Sequence, residues 1–111
     1  MHIATRKAGT SIVVDVQGDI DLYNSPEVRK IVLEELKEKK VPRLIINLSG
    51  VRYIDSSGVA SLVEGLKVAR TLTSRFILFG LSPAAKEVLE LSRLIRVFEV
   101  YVTEEEAVQA P

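Results

Sequence analysis

The sequence contains no cysteine and only one histidine, His2, among its 111 residues. Without cysteine there is no disulfide framework, no thiolate nucleophile and no cysteine-based metal site. His2 stands next to the N-terminus and has no second histidine with which to form a metal site or a catalytic pair. The sequence therefore predicts neither a metal site nor a cofactor.

Long hydrophobic runs and an excess of charge are also missing. The longest strongly apolar run, 76–81, is far shorter than the roughly 20 residues of a membrane span, and the first residues hold no apolar segment of signal-peptide length. Fifteen Lys and Arg residues balance fifteen Asp and Glu residues, so no overall field attracts polyanions. We expect a cytoplasmic protein with no membrane insertion and no direct contact with nucleic acid.

What the sequence does contain is a globular balance of residue types. Hydrophobic residues make up 47% of the chain and charged residues 27%, which is enough apolar material for a packed core. A chain of 111 residues suits one ordinary domain and is too short for two. We therefore predict a single domain over residues 1–111.

Strand-like and helix-like segments alternate along the chain. An opening hairpin is predicted over 3–7 and 11–16, a helix begins near Ser25, and further strands are predicted over 44–48, 75–79 and 94–101, with helices between and after them. The predicted order is ββαβαβαβα. Strands that alternate with helices indicate an α/β fold with a mostly parallel sheet, to which the hairpin adds an antiparallel pair.

Helix starts carry recognisable signals. Ser25 before Pro26 and Ser82 before Pro83 are typical of an N-cap followed by proline at the first helical position, and Thr103 opens a capping box. At the other end of the first helix, Lys37, Lys39 and Lys40 complement the negative end of the helix dipole, and we interpret them as a solvated last turn.

The most informative stretch is 51–58, which leads into a helix whose apolar residues recur with a period near 3.6 residues. Asp55, Ser56 and Ser57 stand where side-chain oxygens can accept from the free N–H groups of the first turn, and Gly58 leaves the backbone there without a Cβ. The apolar stripe consists of Val59, Leu62, Val63, Leu66 and Ala69. The helix N-terminus is thus predicted to present hydroxyl groups beside a carboxylate, and a serine there is most often only a cap.

The segment Ile54-Asp55-Ser56-Ser57-Gly58 resembles the signature of STAS domains, the family of the anti-sigma factor antagonists. The resemblance implies a small mixed β-sheet with helices packed mainly on one face. It also implies that Ser56 is phosphorylated and that Asp55 is its neighbouring acid. By the same resemblance, the acid at the position of Asp21 lies near that serine. Asp19 and Asp21 are both candidates for the polar rim of this site. A turn-forming role explains at least one of them, and we favour Asp21. The predicted partner-binding residues are Asp21, Asp55, Ser56, Ser57 and Gly58.

The resemblance further implies a role in transcription regulation by partner switching. The unphosphorylated domain would bind an anti-sigma factor, a serine kinase that uses ATP, and so release a sigma factor. Phosphorylation of Ser56 would end that binding, and a PP2C-type phosphatase would reset the domain.

Two alternatives to this interpretation are an enzyme and a transporter subunit. Asp19-Ile20-Asp21 superficially resembles the Asp-x-Asp motif of phosphatases, but Gln17-Gly18 interrupts the apolar strand before it, so we predict no catalytic residues and no enzyme. Some STAS domains are instead non-catalytic subunits of ABC-type lipid transporters and dock onto the transporter ATPase. Ser56-Ser57 favours the phosphoswitch, whereas Val59-Ala60 departs from the Leu-Gly that is common in sigma-factor regulators, and the transporter alternative stays open.

Overall fold

A computed structural model of the chain describes residues 1–111. A π-helical segment, Glu34–Glu38, continues directly from the first helix. None of the helices combines the length and the apolar character that a membrane span requires. The elements are β1 (His2–Ala8), β2 (Ser11–Gln17), α1 (Ser25–Leu33), β3 (Arg43–Gly50), α2 (Ser56–Thr71), β4 (Arg75–Phe79), α3 (Pro83–Leu91), β5 (Glu99–Tyr101) and α4 (Glu104–Gln109).

The five strands form one sheet in which the order across the sheet, β1-β2-β3-β4-β5, is also the order along the chain. β1 and β2 are antiparallel, and every other neighbouring pair is parallel. At the centre, Ile46 of β3 lies between Val14 of β2 and Leu78 of β4. The predicted order of elements and the predicted mixed sheet are confirmed.

Both faces of β3 are buried, as its continuous apolar run indicated. Leu44, Ile46 and Leu48 belong to the larger core, which α1, α2 and α3 cover. Ile45 points to the opposite face, where Ala107 and Ala110 belong to the same buried cluster. The helices therefore pack mainly on one face, with α4 as a partial layer on the other.

The helix caps were predicted correctly at two of three places. Ser82 accepts from the N–H of Ala85, and Thr103 forms a reciprocal capping box with Glu106. The N-cap prediction for Ser25 was wrong, because the residue before α1 is Asn24 and Ser25 is the first residue of the helix. A turn closed by the Asp21 carbonyl, which accepts from the Ser25 N–H at 2.8 Å, starts the helical geometry earlier than the cap pattern suggested.

The last strand is shorter than predicted. Only Glu99–Tyr101 pairs with β4, and the preceding segment 94–97 forms a turn in which the Val97 N–H donates to the Leu94 carbonyl at 3.0 Å. The Ile95 N–H donates back to Leu89 at the end of α3. These bonds hold the apolar segment against α3, so its hydrophobicity reflects burial of Phe98 rather than strand pairing.

Arg6 of β1 joins two carboxylates on the face of the sheet that α4 covers. Its guanidinium donates to Asp15 at 2.7 Å and also to Glu104. The Asp15 carboxylate in addition accepts from the Asn47 side chain at 2.8 Å. The Arg6 guanidinium holds the pKa of both carboxyl groups below their usual range, mainly through these hydrogen bonds.

This ion cluster predicts a small acid-dependent loss of stability. A carboxylate whose folded-state pKa is lowered contributes stability that is complete above its unfolded pKa and is lost as the pH falls toward the folded pKa. Since Arg6, Asp15 and Glu104 are all partly exposed, we expect a loss of at most about 1 kcal/mol between about pH 5 and pH 3. Urea unfolding of wild type and Arg6→Gln across this range checks it, and equal pH slopes for the two would contradict it.

Candidate functional site

Two loops meet at the carboxyl ends of the neighbouring parallel strands β2 and β3. The Ile20 N–H donates to the Tyr53 carbonyl at 3.0 Å, and the Asp55 N–H donates to the Ile20 carbonyl at 3.1 Å. Ile20 and Ile54 are paired by this parallel bridge and both are fully buried. The buried isoleucines anchor the loops, so the polar residues on either side of them are held at one edge of the sheet, where α/β proteins commonly place their sites.

The Asp55 carboxylate accepts a hydrogen bond from each of the two loops. Its Oδ1 atom accepts from the Gly58 N–H at 3.0 Å, which makes Asp55 the N-cap of α2. Its Oδ2 atom accepts from the Leu22 N–H of the other loop, also at 3.0 Å. Because each oxygen serves a different loop, Asp55 fixes the start of α2 relative to the chain that follows β2.

Gly58 is the point at which the two loops come closest. A Cβ atom at this position would lie 2.5 Å from the Ile20 carbonyl oxygen and 2.6 Å from the Cγ2 atom of Ile54. Contacts this short are not tolerated, and the first of them involves backbone that cannot turn away. Only glycine allows the first turn of α2 to pack on the Ile20 loop.

Ser56 and Ser57 differ in exposure. Ser56 is exposed, whereas Ser57 is half-buried and its carbonyl accepts from the Ser61 hydroxyl at 3.2 Å. The Ser56 hydroxyl makes no hydrogen bond within the protein. Of the three side chains expected to accept from the first turn, only Asp55 does so, and it is the cap. The backbone N–H groups of Ser56 and Ser57 also have no acceptor in the protein. An exposed hydroxyl thus stands beside two free backbone donors.

The two other candidate acids lie on the loop that contacts Asp55. The Asp21 carboxylate accepts from the N–H groups of Tyr23 and Asn24, both at 3.0 Å, and is the turn-forming acid of this loop. The Asp19 side chain makes no hydrogen bond, although its carbonyl accepts from the Asn24 side chain. Asp21 is adjacent in sequence to Leu22, which bonds Asp55, and no acidic cluster suited to a metal ion forms here.

A shallow groove of about 490 Å³ runs from Ser56 along the outer side of α2. Four of its lining side chains are apolar, and Leu94 reaches it from the turn before β5. Glu64, whose place was not evident from the sequence, forms an ion pair with Arg29 that ties α2 to α1. The lining residues are Ser56, Val59, Ala60, Val63, Glu64, Lys67 and Leu94.

Sequence reasoning found the loop before α2 but missed residues that other parts of the chain bring to it. Leu22 is exposed and its contribution is a backbone N–H, for which no side-chain pattern exists. Leu94 was assigned to a strand, and only its turn places it at the groove. Val63 of the predicted apolar stripe packs against the core, but it is only half-buried and also lines the groove.

Comparisons with known proteins identify the family. A family model described as the STAS domain matches residues 2–107. The chain is 35% identical over 89 residues to an anti-sigma-B factor antagonist of Listeria monocytogenes, a match that covers 80% of this chain and 77% of that protein.

Solved structures share the fold. An anti-sigma factor antagonist from Mycobacterium paratuberculosis superposes with a TM-score of 0.88 at 25% identity, covering 98% of this chain and 92% of that one. The Bacillus cell fate determinant SpoIIAA, in its phosphorylated form, superposes with a TM-score of 0.74 at 23% identity, covering 96% of each chain. The fold implied by the signature around Ser56 is confirmed.

Proposed function

The chain belongs to the STAS domain family, and from that membership we propose that it is an anti-sigma factor antagonist. In this proposal residues 1–111 act as a single domain without catalytic activity. Its unphosphorylated form binds an anti-sigma factor, itself a serine kinase, and a sigma factor is released. Phosphorylation of Ser56 ends the binding, and a PP2C-type phosphatase restores it.

The observation that carries the proposal is the exposed, unbonded Ser56 hydroxyl at the end of an apolar groove. A kinase needs an accessible hydroxyl, and Ser56 meets that need better than the half-buried Ser57. The groove beside it offers a partner an apolar surface to cover. The same residue therefore serves as phosphoacceptor and as part of the interface, together with its neighbours Asp21, Asp55 and Gly58.

The domain itself is suited to carry a phosphoryl group at this place. The group brings a charge of about −1.5 to −2 at pH 7 and three acceptor oxygens. The free N–H groups of Ser56 and Ser57 and the positive end of the α2 dipole favour an anion there. Phosphorylation is therefore expected to leave the fold intact, and SpoIIAA, which shares this fold, has been solved in a phosphorylated form.

Binding of the partner is what the phosphoryl group is expected to disfavour. Val59, Ala60 and Val63 border Ser56 in the groove and supply no positive charge. The only cation that lines the groove, Lys67, is eleven residues further along α2, or about 16 Å at 1.5 Å per residue. A surface packed over phosphorylated Ser56 would bury this charge beside the Asp55 carboxylate with no neighbouring cation in the groove to neutralise it, which opposes binding.

Capture from lysate of the source cells tests the proposal. Wild type and Ser56→Ala are used as baits in detergent, and the bound proteins are identified by mass. We expect both baits to retain a kinase-like anti-sigma factor, which with ATP phosphorylates wild type but not Ser56→Ala. Because Ser56→Ala removes only the acceptor hydroxyl, phosphorylation of that variant to the same extent as wild type would contradict the assignment of Ser56 as the acceptor. Capture of a transporter ATPase with its membrane subunit would instead support the ABC transporter alternative.

A further inference from the structure

We propose that the partner surface continues beyond the Ser56 groove to a lysine-lined groove at the other end of α2, which binds an acidic segment of the anti-sigma factor. The inference rests on the proposed function, since it assigns a second contact to the same partner. It adds a charged contact, far from the phosphoacceptor, that holds the partner in one orientation.

The second groove has a volume of about 320 Å³ and lies between the π-helical segment and the last turns of α2. Leu72, the residue after the last turn of α2, is 40% exposed and contributes an apolar side chain to the groove. The groove is lined by Lys37, Lys67, Val68, Thr71 and Leu72.

The two grooves adjoin at Lys67, which lines both of them. The first begins at Ser56, the first residue of α2, and the second ends at Leu72, the residue after its last turn. At 1.5 Å per residue the 16-residue helix is about 24 Å long. A partner segment that lies on the outer side of α2 and covers the Ser56 groove therefore reaches the lysines as well.

Both lysines of the second groove are free to bind an external anion. Neither Lys37 nor Lys67 takes part in any ion pair of the protein. Glu64 is engaged with Arg29, and Glu35 is engaged with Lys39 at 2.7 Å. Glu34 and Glu38 of the π-helical segment form no ion pair with either lysine. Of the lysines interpreted as a solvated turn, Lys37 thus stands apart from Lys39, because it lines a groove and has no partner.

Charge complementarity favours an acidic protein segment as the occupant. Two lysines beside apolar side chains attract carboxylates, and at the Ser56 end of the same surface the adjacent residue is the acid Asp55. An anionic membrane lying along α2 would meet that carboxylate as well as the lysines. A second copy of the chain would compete with the partner for the Ser56 groove. Experiments can distinguish the membrane and the second copy from an acidic segment of the partner.

Charge reversal tests the inference. The affinity of the captured anti-sigma factor is measured by titration calorimetry for wild type, Lys67→Glu, Lys37→Glu and the double variant. We expect each single reversal to weaken binding about fivefold and the double variant more, with a smaller salt dependence than wild type. Lys67→Gln should lose less, in the same direction. Lys86→Glu, which reverses an exposed lysine on α3, is the matched control and should bind like wild type.

The outcomes separate this inference from the proposed function. If both reversals bind like wild type while Ser56→Asp does not bind, the lysine groove is not a contact and the proposed function stands. If wild type binds no anti-sigma factor, the proposed function fails first. Sedimentation that shows a wild-type dimer abolished by Lys67→Glu would assign the groove to a second copy. Cosedimentation with phosphatidylserine vesicles that Lys67→Glu abolishes would assign it to lipid. Either result overturns the inference.

Discussion

Ser56→Asp is expected to weaken binding of the anti-sigma factor by about 30-fold or more, which corresponds to about 2 kcal/mol for one carboxylate buried without a cation. Ser56→Ala should bind like wild type. The reason is the apolar groove beside Ser56, where the partner would cover the new charge and the only cation of the lining, Lys67, lies eleven residues further along α2. Titration calorimetry with the purified partner measures both affinities, and wild type phosphorylated by its kinase should weaken at least as much as Ser56→Asp.

A matched control separates this local effect from one of total charge. Thr10→Asp adds the same charge in the exposed β1–β2 turn, before β2 runs toward the site at its far end. We expect Thr10→Asp to bind like wild type. Equal affinities for Ser56→Ala and Ser56→Asp would refute the switch, and an equal loss with Thr10→Asp would show that only net charge matters.

Gly58→Ala is expected to lower the free energy of unfolding by about 3 kcal/mol, at the upper end of overpacking effects. The added methyl group would lie 2.5 Å from the Ile20 carbonyl oxygen, so the bridge between the two loops must open or α2 must move. Either change would displace Asp55 from Leu22. Urea unfolding, followed by circular dichroism, measures the loss.

Gly65→Ala, in the same helix, is the comparison. Its methyl group would meet only side chains, at 2.8 Å from Val32 and 2.9 Å from Phe76, and side chains can shift in part. Both variants gain about 1 kcal/mol of helix propensity, so propensity cancels in the comparison. We expect Gly58→Ala to lose clearly more than Gly65→Ala. A similar loss for the two would mean that the loop contact at Ile20 is no tighter than ordinary core packing.

The order of elements could be predicted from the sequence because it depends on local patterns. The caps at Ser82 and Thr103 use hydrogen bonds that span only three residues, and the apolar periods are equally local. The errors at Ser25 and in the segment 94–98 have a different cause. There, backbone hydrogen bonds to Asp21 and to Leu89 decide where helix and turn begin, and no side-chain pattern signals them.

The candidate site likewise contains a part that was predictable from local sequence and a part that depends on contacts between distant residues. Asp55, Ser56 and Gly58 were recognisable because one continuous stretch contains them, and the structure places them together at the start of α2. The contacts that complete the site join distant residues: Leu22 with Asp55, Arg29 with Glu64, and Leu94 with the Ser56 groove. Such pairs depend on how loops and helices dock, which a single sequence does not reveal.

The sequential order of the strands bears on how the molecule is made. Since each strand pairs with the one before it, the sheet can grow by addition as the chain leaves the ribosome, without threading a later strand between earlier ones. The Ile20 and Asp55 loops are both complete once α2 has emerged, before β4 and β5 exist. The two loops and α2 are therefore encoded in the earlier part of the chain, and the remaining residues add Leu94 to the Ser56 groove and complete the core beneath it.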